Sequence, residues 1–313
     1  MAYYNLSKVV KMRRKALGVK REEFDAEGPT GMTVYRIEEG KHKTSERTYR
    51  SLTRSMGIEE STYQGILKTK KLNELQVTYE IAYLLWSKND KNAEQKIESL
   101  KEKLDEKDMR NYQYLRYMEE RIRYGKGEIT AEEYEKVLEE LLQLRVTKGY
   151  SVDMSSWPLH IKECQMVSAL NNVLKKERKY EQQKELLIKL KTVLEHDYMN
   201  NENKELYQII ASVLWADMLG NIGAHREAIK MDEENLKQCE EKKEFRYLAD
   251  VYYDLFWNYL MLKKQETLSA EEEERCRQCL LRAYYIDQAH GGLHPRYGQR
   301  LQECYPEELK QSL

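Results

Sequence analysis

Few residues in this chain are arranged for chemistry, and the most telling ones lie between Lys20 and Thr44, in KREEFDAEGPTGMTVYRIEEGKHKT. Helical spacing puts Val34 and Ile37 one turn apart on a covered side, leaving Gly31, Met32, Tyr35 and Arg36 on the free side. An arginine on a free helix face can make a bidentate contact to guanine in a major groove. Arg36 is therefore the candidate for base reading, with Thr30, Gly31, Met32, Thr33 and Tyr35 beside it. Arg21, Lys41 and Lys43 are the candidates for phosphate contacts. Other constellations are incomplete. Cys276-x-x-Cys279 has the spacing of half a zinc site, yet no second pair completes four ligands, so buried structural thiols are the better reading. His290 and His294 flank two glycines that disfavour a helix, and no glutamate base follows the first histidine. The sequence offers no phosphate-binding glycine loop, no GxSxG and no nucleophile-base pair. No catalytic residue, metal or cofactor is expected, and the chain does not read as an enzyme.

The elements that must position Arg36 follow from turn signals. A short helix over Arg21 to Ala26 runs into Glu27-Gly28-Pro29, and a second helix, about Thr30 to Glu39, stops at Gly40. Leu6, Val10 and Leu17 form an apolar stripe on a preceding helix, interrupted by Arg13. Tyr49, Leu52 and Met56 form another on a helix opened by Thr44 or Ser45. Leu6 to Ile58 resembles the helix-turn-helix of phage-repressor type, carried by Arg14, Gly18-Val19, Glu22-Glu23-Phe24, Ala26-Glu27-Gly28, Arg36-Ile37-Glu38 and Gly40-Lys41. The tight Ala-Glu-Gly turn is similar to that of the Rgg- and PlcR-like regulators, which respond to peptide pheromones. Three positions depart from the pattern. Lys20 replaces a capping Ser or Thr, Arg13 replaces an apolar residue, and Thr44 lacks a nearby proline.

Charge follows the same division. The chain of 313 residues carries a net −1, but residues 1 to 71 hold +7 and the remainder −8, so the basic surplus coincides with the DNA-reading stretch. Five cysteines, an odd number, make no disulfide framework, and no apolar run approaches membrane-spanning length. A cytoplasmic protein is expected, with no membrane partner.

From Leu72 onward the sequence reads as helix after helix. ITAEEYEKVLEELLQL and LSAEEEERCRQCLLRA superpose without a gap, each opened by a capping box, Thr130 to Glu133 and Ser269 to Glu272. GAHREAIKMDEENL and ERKYEQQKELLIKL resemble second helices of tetratricopeptide repeats. Five pairs are expected, at about 72–104, 107–146, 159–197, 201–241 and 244–289, capped by Pro295 to Leu313. The fold class expected is all-α. It comprises a five-helix repressor-type head over 1–58, a linker helix over 59–71 and a right-handed TPR-like α-solenoid over 72–313. Repeat alignment sets Glu119, Asn172, Asp217 and Asn258 at matching inward positions, with Ser168 and Asp254 one turn earlier. Amide side chains there would meet a peptide backbone, since they both donate and accept.

Together the two halves resemble peptide-responsive regulators of low-GC Gram-positive bacteria. The resemblance implies a homodimeric factor that binds double-stranded DNA under control of a short linear peptide. Two alternatives stand beside it: a repeat domain that only dimerises or docks a protein, and a response-regulator phosphatase, for which no catalytic constellation is visible.

Overall fold

The computed structural model describes residues 5–24, 28–42, 45–56, 80, 81, 84, 85, 90–102, 104, 109–144, 153–199, 201–244, 247–292 and 294–310. Lys43, Thr44 and the linker expected over 59–71 lie outside them. Every regular element among the described residues is helical, as the composition and spacing require. Packing divides the chain into two compact units, Met1–Lys179 with Ile188–Lys204, and Tyr180–Leu187 with Glu205–Leu313.

The first unit opens with the head. Helix α1, Leu6–Ala16, is capped by the Asn5 side chain, which accepts from the Lys8 amide at 3.3 Å. It ends at Gly18, where a φ of +69° turns the chain and the Val19 amide closes on the Arg14 carbonyl at 3.1 Å. The segment expected as a helix from Arg21 is a tighter 3₁₀ turn, Arg21–Phe24. One short turn suffices to carry Phe24 into the core, and brief segments favour that geometry. Helix α2, Gly31–Glu38, is capped by Thr30, and its end is a Schellman motif. There Gly40 (φ +68°) and Lys41 donate to the carbonyls of Ile37 and Arg36 at 2.9 and 2.8 Å. Helix α3, Glu46–Ser55, starts at Ser45, whose hydroxyl accepts from the Thr48 amide at 3.1 Å. Val9, Val10, Leu17, Phe24, Val34, Ile37, Tyr49, Leu52 and Met56 make the buried core.

Arg13 is fully buried, and its guanidinium lies 3.8 Å from the centre of the Trp157 ring. A planar cation stacked on indole takes the place of the apolar side chain usual there. Trp157 follows a 3₁₀ turn, Met154–Ser156. The Asn5 amide adds a bond of 2.8 Å to the Tyr198 carbonyl in the same unit.

Helices α4 (Asp90–Lys101), α5 (Met109–Gly125), α6 (Ala131–Gln143) and α7 (Ile161–Lys176) pack in chain order, each on the next. Helix α8, Tyr180–Glu195, spans the division between the two units. Helix α9 (Asn201–Asn221) enters the second unit from Glu205 onward, and there α10 (His225–Lys242), α11 (Leu248–Leu262) and α12 (Ala270–Ala289) continue the pairs. Both expected capping boxes form, with Glu133 and Glu272 reaching back to the amides of Thr130 and Ser269 at 2.8 and 2.9 Å. Helix α13, Pro295–Cys304, packs on α12, with Tyr297 and Leu301 fully buried and the Tyr297 ring stacked on Tyr253 of α11 at 4.6 Å, and α14, Pro306–Lys310, packs on α13.

Candidate nucleic-acid interface

The covered side of α2 is fixed by two forces. Val34 and Ile37 are buried at 0% and 1% exposure, and one turn on the carboxylate of Glu38 is buried too. Arg14 reaches Glu38 with two nitrogens at 2.5 and 3.2 Å, and Arg21 with two at 2.9 and 2.7 Å. A buried carboxylate gripped by two planar guanidinium groups sets the rotation of α2 about its axis. The hydrogen bond to Glu38 also holds Arg21 above its ordinary pKa. Arg21 is thus tied into the head's own framework, which the sequence pattern did not reveal. Arg14 and Glu38 were legible as family positions, but not as partners.

What that rotation leaves uncovered is the expected reading face. Met32 is 62% and Tyr35 38% exposed, and Arg36 is exposed between Tyr35 and the buried Ile37. Gly31 comes close to the 3₁₀ turn, since a Cβ there would meet Arg21 and Glu22 backbone atoms at 3.3 Å. Thr30 and Thr33 join hydroxyls at 3.0 Å at the helix start. Lys41 is exposed just past the helix, its ammonium 5.6 Å from the Tyr35 ring centre, and Arg21 lies 5.3 Å from the same ring. Lys11 pairs with Glu39 at 2.7 Å and holds that carboxyl below its ordinary value.

The six candidate peptide-contact residues do not share one environment. Asn172 is exposed on α7, and Ser168 is half-buried there, its hydroxyl donating to the Cys164 carbonyl at 3.0 Å. The Glu119 carboxylate on α5 pairs with Lys101. Asp217 is half-buried, accepting from the Asn221 amide at 3.2 Å, and Asp254 is half-buried on α11. Asn258 is buried, and its amide is used internally. It bonds His225 Nδ1 at 2.9 Å and donates to the Asp254 carbonyl at 2.9 Å, while Gly220 leaves room for it.

Some exposed and half-buried positions form stripes at helical spacing. They are Tyr112, Arg116, Glu119 and Arg123 on α5, and Lys162, Gln165, Ser168 and Asn172 on α7. In the second unit they are Gln208, Ser212 and Trp215 on α9, and Asp250, Asp254 and Trp257 on α11. Lys162, Trp215 and Trp257 were missed from the sequence, because repeat alignment ranks positions by homology of register and not by what neighbouring helices leave open. Burial pushes the Lys162 ammonium down to about 8, and it lies 4.6 Å from the Tyr114 ring centre.

The cysteines are all free. Burial pushes Cys276 up to about 11 and Cys279 up to about 12, which suits packed thiols better than nucleophiles. Among the described residues no group of His, Cys, Asp or Glu is placed to hold a metal ion, and no helix is long and apolar enough to cross a membrane.

Solved structures share this fold. PlcR of Bacillus thuringiensis in complex with the peptide PapR7 and DNA superposes with a TM-score of 0.60 at 17% identity, covering 95% of this chain and 98% of that one. Its apo form gives 0.53 at 15% identity over 94% and 99% of the two chains. Apo ComR of S. thermophilus gives 0.53 at 14% identity over 96% and 99%. No protein-family model matches the sequence, and no curated protein matches it. The chain has the helical fold of these proteins, a helix-turn-helix head followed by TPR-like helix pairs.

Proposed function

We propose that this chain is a sequence-specific DNA-binding transcriptional regulator whose activity is set by a short peptide held on the open face of its helix pairs. In this reading it acts in the cytoplasm as a homodimer on double-stranded DNA, with residues 1–58 as the DNA-binding head, 59–71 as linker and 72–313 as the peptide-responsive part. The observation that carries the reading is the pairing of faces on α2. One side is locked by Val34, Ile37 and Glu38, and the other presents Met32, Tyr35 and Arg36 to solvent without a covering element of the head. A structural framework that spends two arginines on orienting one short helix supports a role for that helix in reading a groove. The fold it shares with PlcR, solved with a peptide and DNA, supports the same assignment for the repeats.

Operator selection from random duplexes, followed by gel shifts, tests it. Arg36→Ala is expected to lose about 1–3 kcal/mol of discrimination at one base pair. Lys41→Ala is expected to weaken all sequences alike and lower the salt slope by about one unit. Identical behaviour of the two variants, or failure to select any operator, overturns the reading.

A further inference from the structure

The first unit contains a half-open cleft of about 440 Å³ beside α1. Its volume lies in the range of small-molecule sites, about 300–1,000 Å³. One wall is a single face of α1, with Lys8, Lys11 and Lys15 at helical spacing over Met12; the opposite wall is Ser156 with His196 and Asp197. Two contacts join the same segments nearby in sequence, the Asn5 amide on the Tyr198 carbonyl at 2.8 Å and Arg13 on Trp157 at 3.8 Å.

The charges around it do not cancel. Lys11 is engaged by Glu39 at 2.7 Å, and Asp197 by Lys204 at 3.4 Å. Lys8 and Lys15 make no ion pair among the described residues, although the Lys8 charge is felt at Glu39, so the lining holds two lysines without a close carboxylate and an apolar Met12 between them. A compact dianion with an apolar part matches the size, the charge and the Met12 floor.

We infer that this cavity binds a small organic phosphate, a dianion of mononucleotide size, through Lys8 and Lys15. The full-length protein, without DNA, is titrated with adenosine monophosphate by calorimetry and thermal unfolding at fixed ionic strength. Saturable binding is expected, together with a rise in the unfolding midpoint. The double variant Lys8→Ser/Lys15→Ser is expected to bind roughly a hundredfold more weakly, as loss of two charge-assisted contacts implies. Ser156→Trp, which fills the space and leaves every lysine in place, is expected to abolish binding. Three results overturn the inference: a response no larger than that to added chloride, binding retained by Ser156→Trp, or displacement of the ligand by a short duplex of unrelated sequence. The last would make these lysines contacts for the DNA backbone.

Discussion

Of the buried carboxylates in this protein, Glu38 and Asp232 have opposite environments, and their consequences differ accordingly. Glu38 is gripped by two guanidinium groups, so replacing its carboxylate by an amide strands two arginines in a half-dry setting. Glu38→Gln is expected to cost about 3 kcal/mol, the lower end for a broken buried pair because both guanidinium groups keep some solvent. Urea unfolding of the wild type and variant measures it, and a loss below about 1 kcal/mol would mean that packing alone sets the rotation of α2. Asp232 on α10 is fully buried, and one of its oxygens accepts from the Asn235 amide at 3.2 Å while the other has no donor. Burial pushes it up to about 8, with the Asp217 charge adding to the effect. The folded state therefore keeps a proton that the unfolded chain releases near the ordinary carboxyl value, and stability falls as pH rises from about 4 to about 8. Asp232→Asn keeps the shape and removes the titration. It is expected to stabilise by on the order of 3 kcal/mol at pH 8 and by little at pH 4. An equal gain in unfolding midpoint at both pH values would assign the effect to packing.

Between residues and the whole lie the helices, and here one glycine is decisive. The Cβ of an alanine at Gly220 would come within 2.6 Å of Asn258 Oδ1, so Gly220→Ala must push that amide off His225. The expected cost is about 2 kcal/mol, for a strained contact plus an unmet buried polar group. Gly125→Ala, where a Cβ meets nothing within 4 Å, is the control and is expected to stabilise by about 0.5 kcal/mol. Equal unfolding curves for the two variants would show that Asn258 is free to reorient. This pair also marks the limit of what the sequence discloses. Local signals were readable: both capping boxes, the Gly40 helix end, and the covered face of α2 with Val34 and Ile37. Each depends on residues a few positions apart. What was hidden joins distant positions. The Arg14, Arg21 and Glu38 bracket, the Arg13 stack on Trp157, and the His225 bond to Asn258 all depend on which helices meet. The helix expected at Arg21 is a 3₁₀ turn for the same reason, since Phe24 is placed by the core it fills. Register alone put Asn258 among the open positions, but the crossing of α10 with α11 buries it and leaves Asp254 and Trp257 only half-buried instead.

At the scale of the molecule, the proposal joins two binding events, and thermodynamics constrains them jointly. If a peptide changes operator affinity by some factor, operator DNA must change peptide affinity by the same factor, whatever structural route connects them. Peptides selected from a random heptamer library against the full chain supply the ligand, and calorimetry with and without operator supplies both factors. Coupling of about 1–3 kcal/mol is expected, a 5- to 150-fold change in each direction. Within the open stripes, Asn172→Ala is expected to lower peptide affinity by about 1–3 kcal/mol, because a peptide backbone arrives with amides and carbonyls that are costly to leave unmet. Asn258→Ala is expected to act differently. Its amide is committed to His225 and Asp254, so the variant should lose stability first and peptide affinity only through that loss. Wild-type affinity in Asn172→Ala with a retained operator effect would move the peptide off α7. The tryptophans of α9 and α11 would then be the next positions to replace. Peptide affinity indifferent to operator would leave two independent binding functions on one chain, and the peptide would not be the signal that gates the DNA.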